Sequence, residues 1–123
     1  GEVIVFHMPE EGRDFIKRVI GLPGDTVKVV GDQVFVNGVQ IEEPYLEKAY
    51  AEARAKGALP YNDRDFPETK VPEGTLFVMG DHRDNSLDSR YPSVGFIPLE
   101  RVVGRAEFVF WPLNKIKYIG DGV

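Results

Sequence analysis

Gln33-Val34-Phe35-Val36-Asn37-Gly38-Val39-Gln40-Ile41 reads as strand, tight turn and strand in one uninterrupted stretch. Asn-Gly between two apolar β-branched runs is the strongest short hairpin signal, because both central residues of a type I′ turn need φ > 0. Working back from it, Gly31-Asp32 turns the chain out of a strand at Thr26 to Val30. Before that, Gly21-Leu22-Pro23-Gly24-Asp25 forces another turn, since proline fixes φ and glycine accepts φ > 0. Phe15 to Ile20 reads as the strand entering that turn, and Val3-Ile4-Val5-Phe6 as a buried strand closed by Pro9 and Gly12.

Working forward, the pattern changes between Pro44 and Pro72. Leu46 to Lys56 is rich in Ala, Glu and Lys, which predicts a helix of about three turns, with Gly57 where a helix C-terminus wants it. Leu76 to Met79 restarts the strands; Ile97-Pro98, Val102-Val103-Gly104 and Ala106 to Trp111 add more, and Pro112 stops the last. The fold expected is mainly β, an antiparallel sheet or barrel-like arrangement. Residues 1–123 are expected to form a single domain, with 44–75 as a peripheral insertion carrying the helix.

The composition narrows the function. A chain of 123 residues, 42% of them hydrophobic, has room for one core. Fifteen Lys and Arg against 20 Asp and Glu leave a net charge of -5, so no global basic field attracts a phosphate backbone and nucleic acid is excluded as a partner. With no Cys and only two separated histidines, His7 and His82, neither a thiolate nucleophile nor a zinc site is expected. No stretch reaches the ~20 apolar residues of a membrane-spanning helix. The opening Gly1-Glu2-Val3, without a start Met or basic leader, leads to the expectation that the chain is a piece of something longer.

Two segments carry candidate chemistry. Lys17 lies inside an apolar strand with Phe15 and Val19 on its own face, and burial there would depress its pKa towards that of a neutral base. Arg18 cannot fill that role, because a guanidinium stays protonated. The competing reading leaves Lys17 at a strand edge, snorkelling to water. Gly80-Asp81-His82-Arg83-Asp84-Asn85-Ser86-Leu87-Asp88-Ser89-Arg90 is too polar for strand or helix, and its closely alternating charges can hold one hydroxyl, Ser86, in place beside a base. It also reads as a solvated turn with structural ion pairs. It fails as a calcium loop, having Arg83 third, Ser86 sixth and Pro92 twelfth from Asp81.

Asp14-Phe15-Ile16-Lys17-Arg18-Val19-Ile20-Gly21-Leu22-Pro23-Gly24-Asp25 together with Gly80 to Arg90 resembles two signature boxes of the bacterial type I signal peptidases, in the right order. Gly1 to Phe6 resembles the weaker box before them, and Phe110-Trp111-Pro112 the closing strand. The resemblance implies a Ser-Lys serine endopeptidase that removes N-terminal signal peptides after Ala-x-Ala, without a cofactor or metal. By matching position, Lys17 is the general base and Ser86 orients its amine. Asp88 and Arg90 are the ion pair bracing the loop, with Asp81 and Arg18 as further supports. The signal-peptide end of an exported preprotein would bind extended along the lysine strand, against Asp14, Phe15, Ile16 and Val5.

One departure outweighs the others. The family's nucleophile lies in a Ser-apolar-x-Pro motif upstream of the first box, and Ser86, Ser89 and Ser93 all lie in or after the polar loop. The resemblance therefore implies half an active site, inactive alone. Its counterpart would be a membrane-anchored protein of the bacterial cell membrane, tethered by a helix before Gly1, with its catalytic domain on the extracytoplasmic side. Uncovered strand edges near Val3 to Phe6 and Phe15 to Ile20 would favour dimers or swapped pairing. Two other readings stay open: a self-cleaving repressor-type Ser-Lys protease, which lacks the long charged box, and a non-catalytic paralogue that binds exported peptides.

Overall fold

The computed structural model describes residues 1–105. The strand expected from Ala106 to Trp111 and the Phe110-Trp111-Pro112 match lie outside them. The described residues form two antiparallel sheets. The strands are β1 (Val3–Met8), β2 (Arg13–Gly21), β3 (Thr26–Val30), β4 (Gln33–Val36), β5 (Val39–Gln40), β6 (Phe66–Lys70), β7 (Thr75–Met79), β8 (Ile97–Pro98) and β9 (Val102–Arg105), with the helix α1 (Glu47–Ala55) between β5 and β6. One sheet runs β8-β7-β2-β1-β9 and the other β5-β4-β3-β6.

The hairpin that opened the reading forms as expected: Asn37 and Gly38 take φ of 54° and 80° between β4 and β5. Its second strand spans only Val39–Gln40, though the Ile41 amide still donates across to the Val34 carbonyl opposite it, 2.9 Å. The first hairpin is longer than apolar patterning indicated. Its register runs from Val3↔Arg18 to Met8↔Arg13, so exposed His7, Arg13 and Asp14 belong to strands. Backbone pairing carries them there, and a polar side chain on an open face is no obstacle to it. The helix begins at Glu47, after a 3-10 turn at Pro44–Leu46 seeded by the proline, and Gly57 follows its end at φ 67°.

β7 joins the two cores. Leu76 and Val78 point into one cluster with Ile4, Phe6, Met8, Phe15 and Ile97, whereas Phe77 and Met79 point into another with Val27, Val29, Val34 and Val71. A strand buried on both faces must be apolar throughout, which is why Leu76 to Met79 is unbroken by polar residues. The 44–75 stretch contributes more than its helix: β6 pairs with β3, and Phe66 stacks on Phe77 with ring centroids 4.8 Å apart.

Where β2 turns from one core to the other, Gly21 permits the approach. A Cβ there would meet Val27 Cγ2 at 2.6 Å and Val71 Cγ2 at 3.1 Å. Gly21→Ala is therefore expected to destabilise the fold by about 1–3 kcal/mol through overpacking, read as a lower urea midpoint at unchanged slope.

Candidate active site

Lys17 sits at the point where β2 changes partners. Residues 13 to 18 pair with β1, while β7 pairs only from Arg18↔Met79 onwards. Continued one step, that second register brings Gly80 beside Lys17. A Cβ on Gly80 would lie 1.9 Å from Ser86 Oγ and 3.3 Å from Lys17 Nζ, so glycine alone leaves room for the two to meet. They do: Lys17 Nζ donates to Ser86 Oγ at 3.1 Å. Lys17 is half-buried on the face it shares with Phe15, whose ring centroid is 5.8 Å from the amine. Burial pushes its pKa below the usual 10.5; Arg13 and Arg90 push the same way, and Asp88 and Asp81 oppose them.

The loop that brings Ser86 in is built around Asp88, which is fully buried. Its carboxylate accepts four hydrogen bonds: from Arg90 Nε and Nη2 at 2.9 and 2.8 Å, the Arg90 amide at 3.1 Å and the Gly80 amide at 2.9 Å. Ser89 Oγ accepts from the Val78 amide at 2.9 Å, which docks the loop on β7. Ser86, by contrast, spends its hydroxyl on the lysine. Arg18, one residue from Lys17 but on the opposite face of β2, forks onto Asp81 at 2.9 and 2.7 Å. His82 is exposed.

Beside this pair a cleft of about 290 Å³ is lined by Arg13, Asp14, Phe15, Ile16, Lys17, Asn85 and Leu87. The Val19 amide donates to the Glu2 carbonyl, which fixes the ladder phase: Phe15 and Lys17 turn their backbone groups to β1, and Asp14 and Ile16 turn theirs away. No described strand pairs with Asp14 or Ile16 on that side. The expected peptide contacts divide between two faces. Val5 and Ile16 share a half-buried apolar patch with Val3, while Phe15 is buried in the core on the other side. Among the described residues no cluster of His, Asp and Glu is arranged to hold a metal.

Residues from outside both sequence boxes also reach the loop. Arg90 Nη1 donates to Asn62 Oδ1 and Asp63 Oδ1, and Glu43 pairs with the buried Arg83. The signal available for them was slight: Arg83 and Arg90 are two cations in a loop that also had to be buried, so acceptors were needed beyond Asp88.

A desolvated lysine amine held against a serine hydroxyl at an open strand edge defines a candidate acid–base site in a mainly β protein. Comparison with known proteins specifies it. Residues 1–111 match the family model described as signal peptidase, peptidase S26, and the chain belongs to that family. It is 44% identical to a signal peptidase I of Bacillus licheniformis over 95% of this chain and 61% of that protein. It is 41% identical to signal peptidase I U of Bacillus subtilis (strain 168), over 95% of this chain and 60% of that one. The chain thus spans about three-fifths of the length of these relatives. Its fold is similar to the crystal structure of a signal peptidase I from Enterococcus faecalis V583, with a TM-score of 0.73 and 38% identity over 85% of this chain and 92% of that one.

Two outcomes are expected from this geometry. Asp88→Ala strands the buried Arg90 guanidinium and should cost about 3–5 kcal/mol in urea unfolding. Lys17→Met should be more stable than the parent below the depressed pKa, where the buried ammonium is a penalty. The unfolded lysine holds its proton longer than the folded one, so parent stability rises with pH through that window. The advantage of Lys17→Met therefore fades towards pH 10.5, a trend that melts across the alkaline range will read.

Proposed function

We propose that this chain supplies the base half of a Ser-Lys endopeptidase that removes signal peptides from exported preproteins. The observation that carries the reading is the Lys17 amine, desolvated and 3.1 Å from Ser86 Oγ. A lysine with a depressed pKa is neutral for more of the time near neutral pH and can take a proton from an attacking hydroxyl. In this role Ser86 acts as acceptor of one amine hydrogen, fixing the direction of the nitrogen lone pair. Arg18, Asp81, Asp88 and Arg90 hold the loop that carries it.

The peptide is read as an added strand. The outward backbone groups of Asp14 and Ile16 and the adjoining cleft are what β-augmentation requires, with alternate side chains entering shallow apolar sites beside Phe15, Ile16 and Val5. Small residues at those positions suit a cleft of about 290 Å³. The nucleophile and its oxyanion donors are assigned to the Ser-apolar-x-Pro motif that the family carries upstream of the first box, since Ser86 holds the Lys17 amine, Ser89 is buried against Val78, and Ser93 lies beyond the loop. The membrane anchorage and extracytoplasmic placement of such an enzyme belong to the same proposal; the edge expected open at Val3 to Phe6 is instead covered by β9, which pairs with Ile4, Val5 and Phe6, so pairing between copies is proposed only through the open part of β2 at Asp14 and Ile16. The long charged loop, present and packed, favours this reading over the repressor-type protease.

The test has two arms. The 123-residue chain alone is expected to leave an Ala-x-Ala peptide uncut; turnover abolished by Ser86→Ala would overturn the half-site assignment. In the complete protein, Lys17→Met should lower kcat by about 10³-fold or more, the scale of losing an activating base, and undiminished cleavage would overturn the base assignment.

A further inference from the structure

Glu43 and Tyr45 lie between β5 and α1, far in sequence from both segments that build the site. Their side chains nevertheless close a ring that ends on residues beside it. The Glu43 side chain is 4% exposed; its two oxygens accept from Arg83 Nη1 at 3.2 Å and Nη2 at 2.5 Å, and Oε2 also accepts from the Tyr45 hydroxyl at 2.7 Å. Arg83 turns its Nε onto the Gly80 carbonyl at 2.7 Å. On the other side the Arg18 guanidinium lies 3.7 Å from the Tyr45 ring centroid while it forks onto Asp81. The path Gly80, Arg83, Glu43, Tyr45, Arg18, Asp81 therefore begins and ends on adjacent loop residues.

Those ends are the neighbours of the reacting pair. Gly80 is the residue whose bare Cα lets Ser86 Oγ reach Lys17 Nζ, and Arg18 follows Lys17 in β2. A guanidinium is planar and rigid, so fixing its two Nη atoms on one carboxylate fixes where Nε points. Glu43 thus sets the direction of the Gly80 carbonyl at one remove. Burial and the bond to Glu43 raise the Tyr45 pKa, which keeps its phenol a donor at any working pH. A buried ion pair gives little net stability over an apolar replacement. Its consequence here is geometric.

We propose that Glu43 and Tyr45 are positioning residues that hold the Gly80–Ser86 turn against the Lys17 amine, acting through Arg83 and Arg18 and touching no substrate. The inference rests on Lys17 being the base. Removing the Glu43 charge frees Arg83, releases the Gly80 carbonyl, and lets water in beside Lys17. The groups that face Lys17, namely Asp88 and Asp81 against Arg13 and Arg90, stay in place, so rehydration is what moves its pKa, upwards.

The experiment is steady-state cleavage of an Ala-x-Ala peptide across pH by the complete protein, with folding checked by circular dichroism. Glu43→Gln is expected to lower kcat by about tenfold or more with KM within about twofold, and to move the acid limb of the kcat profile to higher pH. Tyr45→Phe, which keeps the ring over Arg18 and loses only the hydroxyl, should shift the same limb by less. Glu42→Gln, at an exposed neighbour, should leave both unchanged. A folded Glu43→Gln protein with an unmoved limb overturns the proposal, even if its active fraction falls. Should Glu43→Gln fail to fold, an unmoved limb in Tyr45→Phe overturns it. Lys17→Met separates the two readings: full activity there defeats the base assignment itself, whereas an inactive Lys17→Met beside a normal Glu43→Gln defeats only the positioning role.

Discussion

The buried carboxylate of Asp88 is the constraint on which the candidate site depends. An ionised group taken out of water costs several kcal/mol unless its lone pairs are met, and Asp88 meets that demand with a bidentate arginine and two backbone amides. One of those amides belongs to Gly80, the end of β7, and the other to Arg90, the end of the loop. A single side chain therefore draws both ends of a polar segment together. Ser86 lies between them, and with its ends pinned the serine has little choice but to project over Gly80 towards Lys17. The same charge raises the affinity of Lys17 for its proton, against the burial that lowers it. Loop order and base strength thus oppose each other through one residue, and desolvation is the larger influence.

The desolvation that lowers the lysine's basicity comes from the sheet as much as from the loop. β7 faces two cores, and its last apolar residue, Met79, is fully buried next to Gly80. The strand cannot shift to rehydrate Lys17 without exposing Leu76, Val78, Phe77 or Met79 to water. At roughly 1.5–3 kcal/mol per buried apolar side chain, that exposure outweighs what the lysine would gain by hydration. Stability of the two cores is in this sense the source of the perturbed amine, and Gly21, where β2 passes between them, is part of the same arrangement.

The turns and most strands were legible from local chemistry, since Asn37-Gly38 and the apolar alternation of Thr26 to Val30 need no tertiary context. The extent of the β1–β2 hairpin was not, because Arg13, Asp14 and His7 owe their strand conformation to cross-strand hydrogen bonds that side-chain patterning does not record. For the site, Lys17 beside Phe15 and Val19 was compatible with an edge residue reaching for water until the Gly80–Ser86 turn was found against its amine. The resemblance of two long boxes pointed to the lysine and its loop, but it did not point to Glu43, Asn62 or Asp63. Asn62 and Asp63 lie in the stretch read as an insertion and Glu43 just before it, and their importance appears only when the buried guanidinium groups of Arg83 and Arg90 are followed to their acceptors.

Adjacent cations in one strand would ordinarily be a liability, and Lys17-Arg18 shows how period-two geometry removes it. Successive side chains leave opposite faces of β2, so the sheet itself stands between the two charges. Arg18 goes to a face where Asp81 and the Tyr45 ring satisfy a permanently charged group. Lys17 goes to the face where apolar packing penalises charge. Guanidinium tolerates the first environment because it never has to lose its proton; the ammonium yields to the second because it can. Exchanging the two residues would put a group that cannot deprotonate into the desolvated position and a titratable one beside Asp81, whose charge would hold its proton on. The order Lys-Arg, one face for each, is thus what separates a titratable amine from a permanently charged guanidinium within a single turn of the pleat.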